Sequence, residues 1–188
     1  MKSLLGIVLL LCGISVARAA DIDIDIANSK ITVFVEKSGL FSAFAHNHTI
    51  AAPLASGHLN AEKRTVELKF RTQGMKVLDP GVSESEIADI DRTMKSDKVL
   101  DTGRFPEIAF ASTSVESSGP QRYLVRGNLT LHGVTRPVEL IVTSSGGHYT
   151  GKVTLKQTEF GITPIKIAGG TVKVKDGIEI AFDIATSK

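Results

Sequence analysis

The stretch TVELKFR, residues 65–71, alternates between two kinds of side chain. Val66, Leu68 and Phe70 are apolar, whereas the residues between them are polar or charged. Successive side chains of a β-strand point to opposite faces of the sheet, so a period of two predicts a strand with one buried face and one wet face. The stretch therefore favours a sheet that covers an apolar interior.

The same alternation recurs along most of the chain after Asp21. It covers residues 22–26, 31–36, 107–115, 122–131, 136–143, 148–156, 171–175 and 178–184. Breaks at Gly119-Pro120 and at Ser144 to Gly147 indicate turns, and Asp176-Gly177 predicts a two-residue hairpin turn. Because only closure removes exposed sheet edges altogether, a meander of such strands favours a barrel over a sandwich.

One segment departs from the strand pattern. The sequence SESE at residues 83–86 has the form of a capping box, in which a serine and a glutamate satisfy each other's backbone N–H groups. Three apolar residues then follow at helical spacing, namely Ile87, Ile90 and Met94. We predict one short helix from about Glu84 to Ser96, which either packs on the core or covers an end of the barrel.

The first 20 residues have the form of a secretory signal peptide. Lys2 supplies a positive charge, Leu4 to Val16 is an apolar run, and residues 17–20 have the small-x-small pattern that signal peptidase recognises. The apolar run is too short to span a bilayer. We expect cleavage after Ala19 or Ala20, which leaves one domain at residues 21–188 in the periplasm.

The cysteine content and the charge narrow the function classes. Cys12 leaves with the leader, so the remaining chain forms neither a disulfide nor a thiolate site. It follows Leu11, where lipid attachment requires a small residue, so a lipoprotein is the lesser alternative. Of the 22 basic residues Lys2 and Arg18 lie in the leader, which leaves 20 against 20 acidic residues. This neutrality argues against a nucleic-acid-binding protein.

Two motifs resemble the YceI family. The first is FPEIAF at residues 105–110, and the second, more specific one is GNLTLHGVTRPV at residues 127–138. The segments 94–100 and 159–162 add support. The resemblance implies an all-β, single extended antiparallel lipocalin-like barrel of about eight strands, capped by the short helix. It also implies that the interior holds a polyisoprenoid or an isoprenoid quinone.

Two sequence features qualify this resemblance. The stretch SGLFSAFAHNHTI at residues 38–50 departs from the family pattern, in which a Phe-x-Val-x-His strand precedes a His-x-Gly element. Because of this departure, the sequence does not predict which head group the ligand carries. Lipocalins themselves are the alternative family, but their Gly-x-Trp signature cannot occur because the chain contains no tryptophan.

The phenylalanines supply the large apolar side chains that can line a cavity. For each of them, plain core packing is the alternative to ligand contact. A barrel with few aromatic residues and many Val, Ile and Ala leaves its interior incompletely filled, which favours an apolar ligand. The predicted apolar ligand contacts are Phe34, Phe41, Phe44, Phe70, Phe105, Phe110 and Phe160.

His46 and His48 are the candidates for polar chemistry. Residues two apart on a strand project from the same face, so we predict that both imidazoles hydrogen-bond a ligand head group. One alternative is that they are ordinary histidines at the surface or the mouth of the barrel. The other is a metal-binding protein or a metal-dependent enzyme, with His58 or His132 as a third ligand. His132 itself is expected to fix the turn between two strands. We predict no catalytic residue and no resident metal.

The leading hypothesis is an exported carrier or storage protein for an isoprenoid lipid, linked to stress, and not an enzyme. The bound lipid is the only cofactor-like group that we expect. The expected partner is that lipid, and nucleic acid is excluded. Transient contact with the membrane or with membrane redox proteins, and pairing as a homodimer, are left open.

Overall fold

The computed structural model describes residues 21–38, 47–167 and 172–187. The predicted signal peptide at residues 1–20 and the candidate contacts Phe41, Phe44 and His46 lie outside these residues. Short 3-10 turns follow two of the strands, at Thr72–Gly74 and Gln157–Phe160. The regular elements are β1 (Asp21–Ser38), β2 (His48–Ala51), β3 (Leu54–Asn60), β4 (Thr65–Arg71), β5 (Lys76–Val77), α1 (Glu84–Lys95), β6 (Glu107–Gly119), β7 (Arg122–Leu131), β8 (Val134–Ser145), β9 (His148–Lys156), β10 (Lys166–Ile167) and β11 (Val172–Thr186).

Eight of the described strands pair in one closed antiparallel ring. The order around the ring is β1, β3, β4, β6, β7, β8, β9 and β11, and β11 pairs back onto β1. β2 and β5 pair in succession beside β1, and β10 pairs with β11. The prediction of a single antiparallel barrel of about eight strands with one short helix is confirmed. No helix in the described part of the chain combines the length and the apolar character needed to cross a membrane.

The helix begins as the capping box predicts. The Ser83 hydroxyl accepts a hydrogen bond from the Glu86 backbone N–H, and the Glu86 carboxylate accepts one from the Ser83 backbone N–H. Met94 is buried, and Ile87 and Ile90 pack against the barrel core. The apolar face that the sequence predicts for α1 therefore lies on the barrel.

Tight turns connect the strands of the meander. His132 and Gly133 join β7 to β8 with φ angles of 51° and 72°, and Gly146 and Gly147 join β8 to β9 with φ angles of 57° and 85°. Two successive positive φ values give the mirror-image turn whose twist matches that of the flanking strands. The predicted break at Ser144 to Gly147 is thus a two-residue hairpin turn.

The hairpin predicted at Asp176-Gly177 is wrong, because β11 runs through both residues as one strand. Neither residue has a positive φ, which such a turn requires. Opposite this part of β11, the pairing of β11 with β1 shifts register between Val35 and Lys37 of β1. The Thr158 backbone N–H and hydroxyl donate to the Asp176 carboxylate at 2.9 and 2.7 Å, and these bonds lower its pKa. Asp176 therefore anchors the turn after β9.

The predicted burial of Ile26 in register with Ile22 and Ile24 is also wrong, since Ile26 is 42% exposed. The pairing of β1 with β11 is irregular between Asp25 and Lys30. Asp25 accepts hydrogen bonds from the Asn28 backbone N–H and side-chain amide, and these bonds lower the pKa of Asp25. This local turn-like hydrogen bonding interrupts the alternation of side chains.

A glycine on β7 permits close contact between neighbouring strands. A Cβ on Gly127 would lie 2.5 Å from the Phe110 ring and 2.7 Å from the Ala111 carbonyl oxygen. Gly103 faces open space and has no positive φ, which makes it a matched control.

We predict that Gly127→Ala lowers the free energy of unfolding by about 1–3 kcal/mol, because a backbone oxygen cannot move aside without disturbing the sheet. Gly103→Ala should change it by less than about 0.5 kcal/mol. Urea denaturation measures both. Equal stability of the two variants would contradict the close packing at Gly127.

Candidate functional site

A cavity of about 620 Å³ occupies the interior of the barrel. Alternate residues of the ring strands line it, so the apolar positions of the sequence pattern form its wall. Members from five different strands are Ile24, Val33, Leu68, Val125, Val142 and Leu155. This volume lies within the range of roughly 300–1,000 Å³ that is usual for small-molecule sites.

One end of the cavity is closed. It is the end at which β4 finishes and β6 begins, and we call it the closed end. Its lining residues Met75, Met94, Leu100 and Ile162 are each at most 7% exposed. α1 and the segment after it therefore form a hydrophobic plug across this end.

The opposite end, with the turns between β3 and β4 and between β6 and β7, is open to solvent. Ala61, Arg64 and Thr65 line the cavity there and are themselves exposed. Asn60, Ser117 and Tyr123 complete this rim. We call it the open end, and it is where a ligand can enter.

The residues that line the cavity extend from the closed end to the open end of the barrel. A strand such as β7, with 10 residues, extends over about 33 Å at the usual rise, which corresponds to about 25 Å along the axis for a typical strand tilt. One leaflet of a bilayer contributes roughly 15 Å of hydrocarbon. The barrel wall is therefore longer than the hydrocarbon layer of one leaflet is thick.

The structure places the predicted aromatic contacts in different environments. Phe70 and Phe110 line the cavity, as does Phe182, which the sequence did not single out. Phe34 lies on the outer face with 37% exposure, and neither Phe105 nor Phe160 lines the cavity. As ligand contacts, all of these residues stay predictions.

The two family-like motifs meet at the closed end. The rings of Phe105 and His132 lie 4.4 Å apart, and His132 Nδ1 donates to the Phe160 carbonyl oxygen at 3.3 Å. Phe160 is 1% exposed. The buried Thr72 hydroxyl donates to the Phe105 carbonyl oxygen at 2.9 Å. The structural role predicted for His132 is therefore seen, and its contacts hold the plug in place.

His48 is held by a buried carboxylate. Its Nδ1 lies 2.6 Å from Asp79 Oδ2, and the Thr49 backbone N–H donates to Asp79 Oδ1 at 2.6 Å. The Asp79 side chain is only 2% exposed. The imidazole lies outside the cavity lining, beside Phe34 on the outer face. His48 thus ties β2 to the segment that leads into α1.

The metal alternative finds no support in the described residues, which hold no group of three or more His, Cys, Asp or Glu side chains able to bind an ion. His58 is exposed on β3, and the Nδ1 of His132 already donates to the Phe160 carbonyl oxygen. Only His46 of the proposed ligands lies beyond the described ranges.

A family model described as the YceI-like domain matches residues 22–186. The chain belongs to the YceI-like family. A UPF0312 protein of Shewanella oneidensis is 36% identical over 42% of this chain and 47% of its own length. Another, from a Shewanella species, is 28% identical over 86% of both chains. The match thus spans about half of the first relative and most of the second.

Solved structures share the YceI-like fold. Burkholderia cenocepacia BcnA superposes with a TM-score of 0.65 and 18% identity, covering 88% of this chain and 100% of that one. The Campylobacter jejuni YCEI protein gives a TM-score of 0.51 at 11% identity, covering 100% and 99%. At these identities the comparison establishes the fold alone.

We predict that the hollow interior tolerates a larger side chain. Val125→Phe, which points into the cavity, should change the free energy of unfolding by less than about 0.5 kcal/mol, since the ring enters empty space. Val77→Phe, at a buried position outside the cavity lining, should cost about 1–3 kcal/mol through overpacking. Chemical denaturation measures both, and a similar loss in the two variants would mean that the interior is filled.

We also predict that Asp79→Ala lowers the free energy of unfolding by about 1–3 kcal/mol, because it leaves the Thr49 N–H and His48 without their acceptor. His58→Ala, at an exposed position, serves as the control and should be nearly neutral. A neutral Asp79→Ala in thermal and urea unfolding would show that the carboxylate does not secure this segment.

Proposed function

We propose that this YceI-like protein is an exported carrier or store that holds a polyisoprenoid or isoprenoid quinone in its barrel, and that it catalyses no reaction. The single observation that carries the proposal is the apolar cavity, open at one end and closed at the other. Its wall consists almost entirely of aliphatic and aromatic side chains.

The energetics of an empty apolar interior support a ligand. Protein interiors normally pack as densely as organic crystals, with few voids larger than a water molecule. Side chains around a larger void lose dispersion contacts, and water in an apolar void lacks hydrogen-bond partners. A hydrocarbon tail restores those contacts, and each Å² of apolar surface it removes from water contributes roughly 25 cal/mol.

The composition of the wall favours binding over chemistry. Among the described residues that line the cavity, none is His, Cys, Asp, Glu or Lys, and these residue types supply most general acids, bases and nucleophiles. An apolar cavity without such groups can select its ligands by their length and shape. A flexible prenyl chain that enters tail first fits these requirements.

The leader suggests where the protein acts. A secretory signal peptide would bring the barrel to the periplasm, the aqueous space between the inner and outer membranes. A long prenyl tail exposed to water in that space would be costly, so a barrel that covers it could store the lipid or move it between membranes. Exchange would require transient contact of the open end with a membrane surface.

We predict that protein purified gently from the periplasmic fraction, without detergent, carries a lipid in near-equal molar amount. Organic extraction followed by mass spectrometry should detect a polyisoprenoid. Leu129→Trp fills part of the cavity and should reduce the bound lipid several-fold, whereas Asn128→Trp, on the outer face of β7, should not. Absence of lipid from the unmodified protein, or equal lipid in both variants, would contradict the proposal.

A further inference from the structure

The polar residues of the cavity wall are concentrated at the open end. Asn60, Arg64 and Thr65 lie at the turn between β3 and β4, and Ser117 and Tyr123 lie at the neighbouring turn between β6 and β7. At the closed end the wall includes one buried amide, Gln157, whose Nε2 already donates to the Lys175 carbonyl oxygen at 2.9 Å. Any polar head group is therefore best accommodated at the open end.

Arg64 is the only charged residue in the described cavity wall. Exposed Arg126 forms ion pairs with both Glu116 and Glu139. The Arg64 guanidinium, by contrast, has no ion pair or hydrogen bond to any described residue. Its donors are thus available to a group that enters the open end.

The turn that carries Arg64 is fixed at its base. The Lys63 backbone N–H donates to Asn60 Oδ1 at 2.8 Å, and the Asn60 amide donates to the Asp21 carboxylate at 2.7 Å. Arg64 closes the turn with a φ of 52°, a left-handed conformation that is uncommon for a residue with a side chain. This geometry keeps Arg64 at the rim, while the adjacent Lys63 does not line the cavity.

Arginine at this position discriminates by charge. Its planar guanidinium can donate two parallel hydrogen bonds to a carboxylate or a phosphate, which a neutral carbonyl or alcohol cannot accept in the same way. The rim adjoins an apolar interior, where charges attract more strongly than they do in bulk water. The head group still contacts solvent at the open end, so its charge need not be buried.

We infer that the open end selects an amphiphile with an anionic head group, phosphate or carboxylate, and that Arg64 binds this group while the apolar tail fills the barrel. The inference rests on the proposed lipid-binding function and adds a specificity to it. The Tyr123 hydroxyl, on the same rim and without a hydrogen bond to any described residue, supplies a further donor.

The test compares three ligands that share one tail, namely geranylgeraniol, geranylgeranoic acid and geranylgeranyl phosphate. Each displaces a neutral naphthylamine dye from delipidated protein, and the loss of dye fluorescence gives its affinity. We expect the phosphate and the acid to bind about ten-fold more tightly than the alcohol. The stronger of the two anions identifies which head group the rim prefers.

The matched variants are Arg64→Gln and Lys63→Gln, which remove the same charge from the same turn. Arg64→Gln should weaken binding of the anionic ligands about five- to ten-fold and leave the alcohol within about two-fold. Lys63→Gln should leave all three within about two-fold. Thermal unfolding verifies that both variants fold, and Arg64→Lys should recover part of the anion preference.

The outcomes separate this inference from the proposed function. Equal affinities of the alcohol and the two anions, or equal losses in the Arg64 and Lys63 variants, would overturn the role of Arg64 while lipid binding stands. Failure of the dye and of all three ligands to bind would overturn the lipid-binding function itself, and the inference with it.

Discussion

The pairing of β11 with β1 is the contact on which the rest of the structure depends. Inward-facing Ile31 and Val33 lie opposite Phe182 and Ile180, so the same pairing closes the ring and completes the apolar wall. Without it the sheet would keep two long unpaired edges and expose its apolar face to water. Because the two strands come from opposite ends of the domain, the cavity exists only once the whole chain has folded.

A closed ring of strands alone would leave both ends of the barrel open. The second requirement for the cavity is therefore a plug across one end. The structure assigns this role to residues that carry the family resemblance, since His132 contacts both Phe105 and Phe160 at the closed end. Their hydrogen bonds and ring contact hold the connecting segments across the barrel. The YceI-like motifs therefore lie at the closed end, away from the open end of the cavity.

Local patterns predicted most of the fold, because strand alternation and the capping box depend on neighbours in the sequence. These local patterns gave wrong predictions where side-chain hydrogen bonds compete with the pairing of strands. Asp176 accepts hydrogen bonds from Thr158 and stays within a strand, and Asp25 bonds Asn28 and interrupts one. The alternation of residues 31–36 already predicts that Phe34 lies on the face opposite Val33 and Val35. The prediction of aromatic ligand contacts does not take into account the face that each residue occupies. The partner of His48, Asp79, lies 31 positions away, and no local pattern connects them.

The most direct measurement of the central claim is a crystal structure of the protein purified from its native cells without detergent. A hollow barrel that holds a lipid predicts continuous, elongated electron density from the plug at Met94 to the rim at Arg64, unaccounted for by protein atoms. An interior filled by rearranged side chains, or by a hydrogen-bonded chain of ordered water molecules, would contradict it.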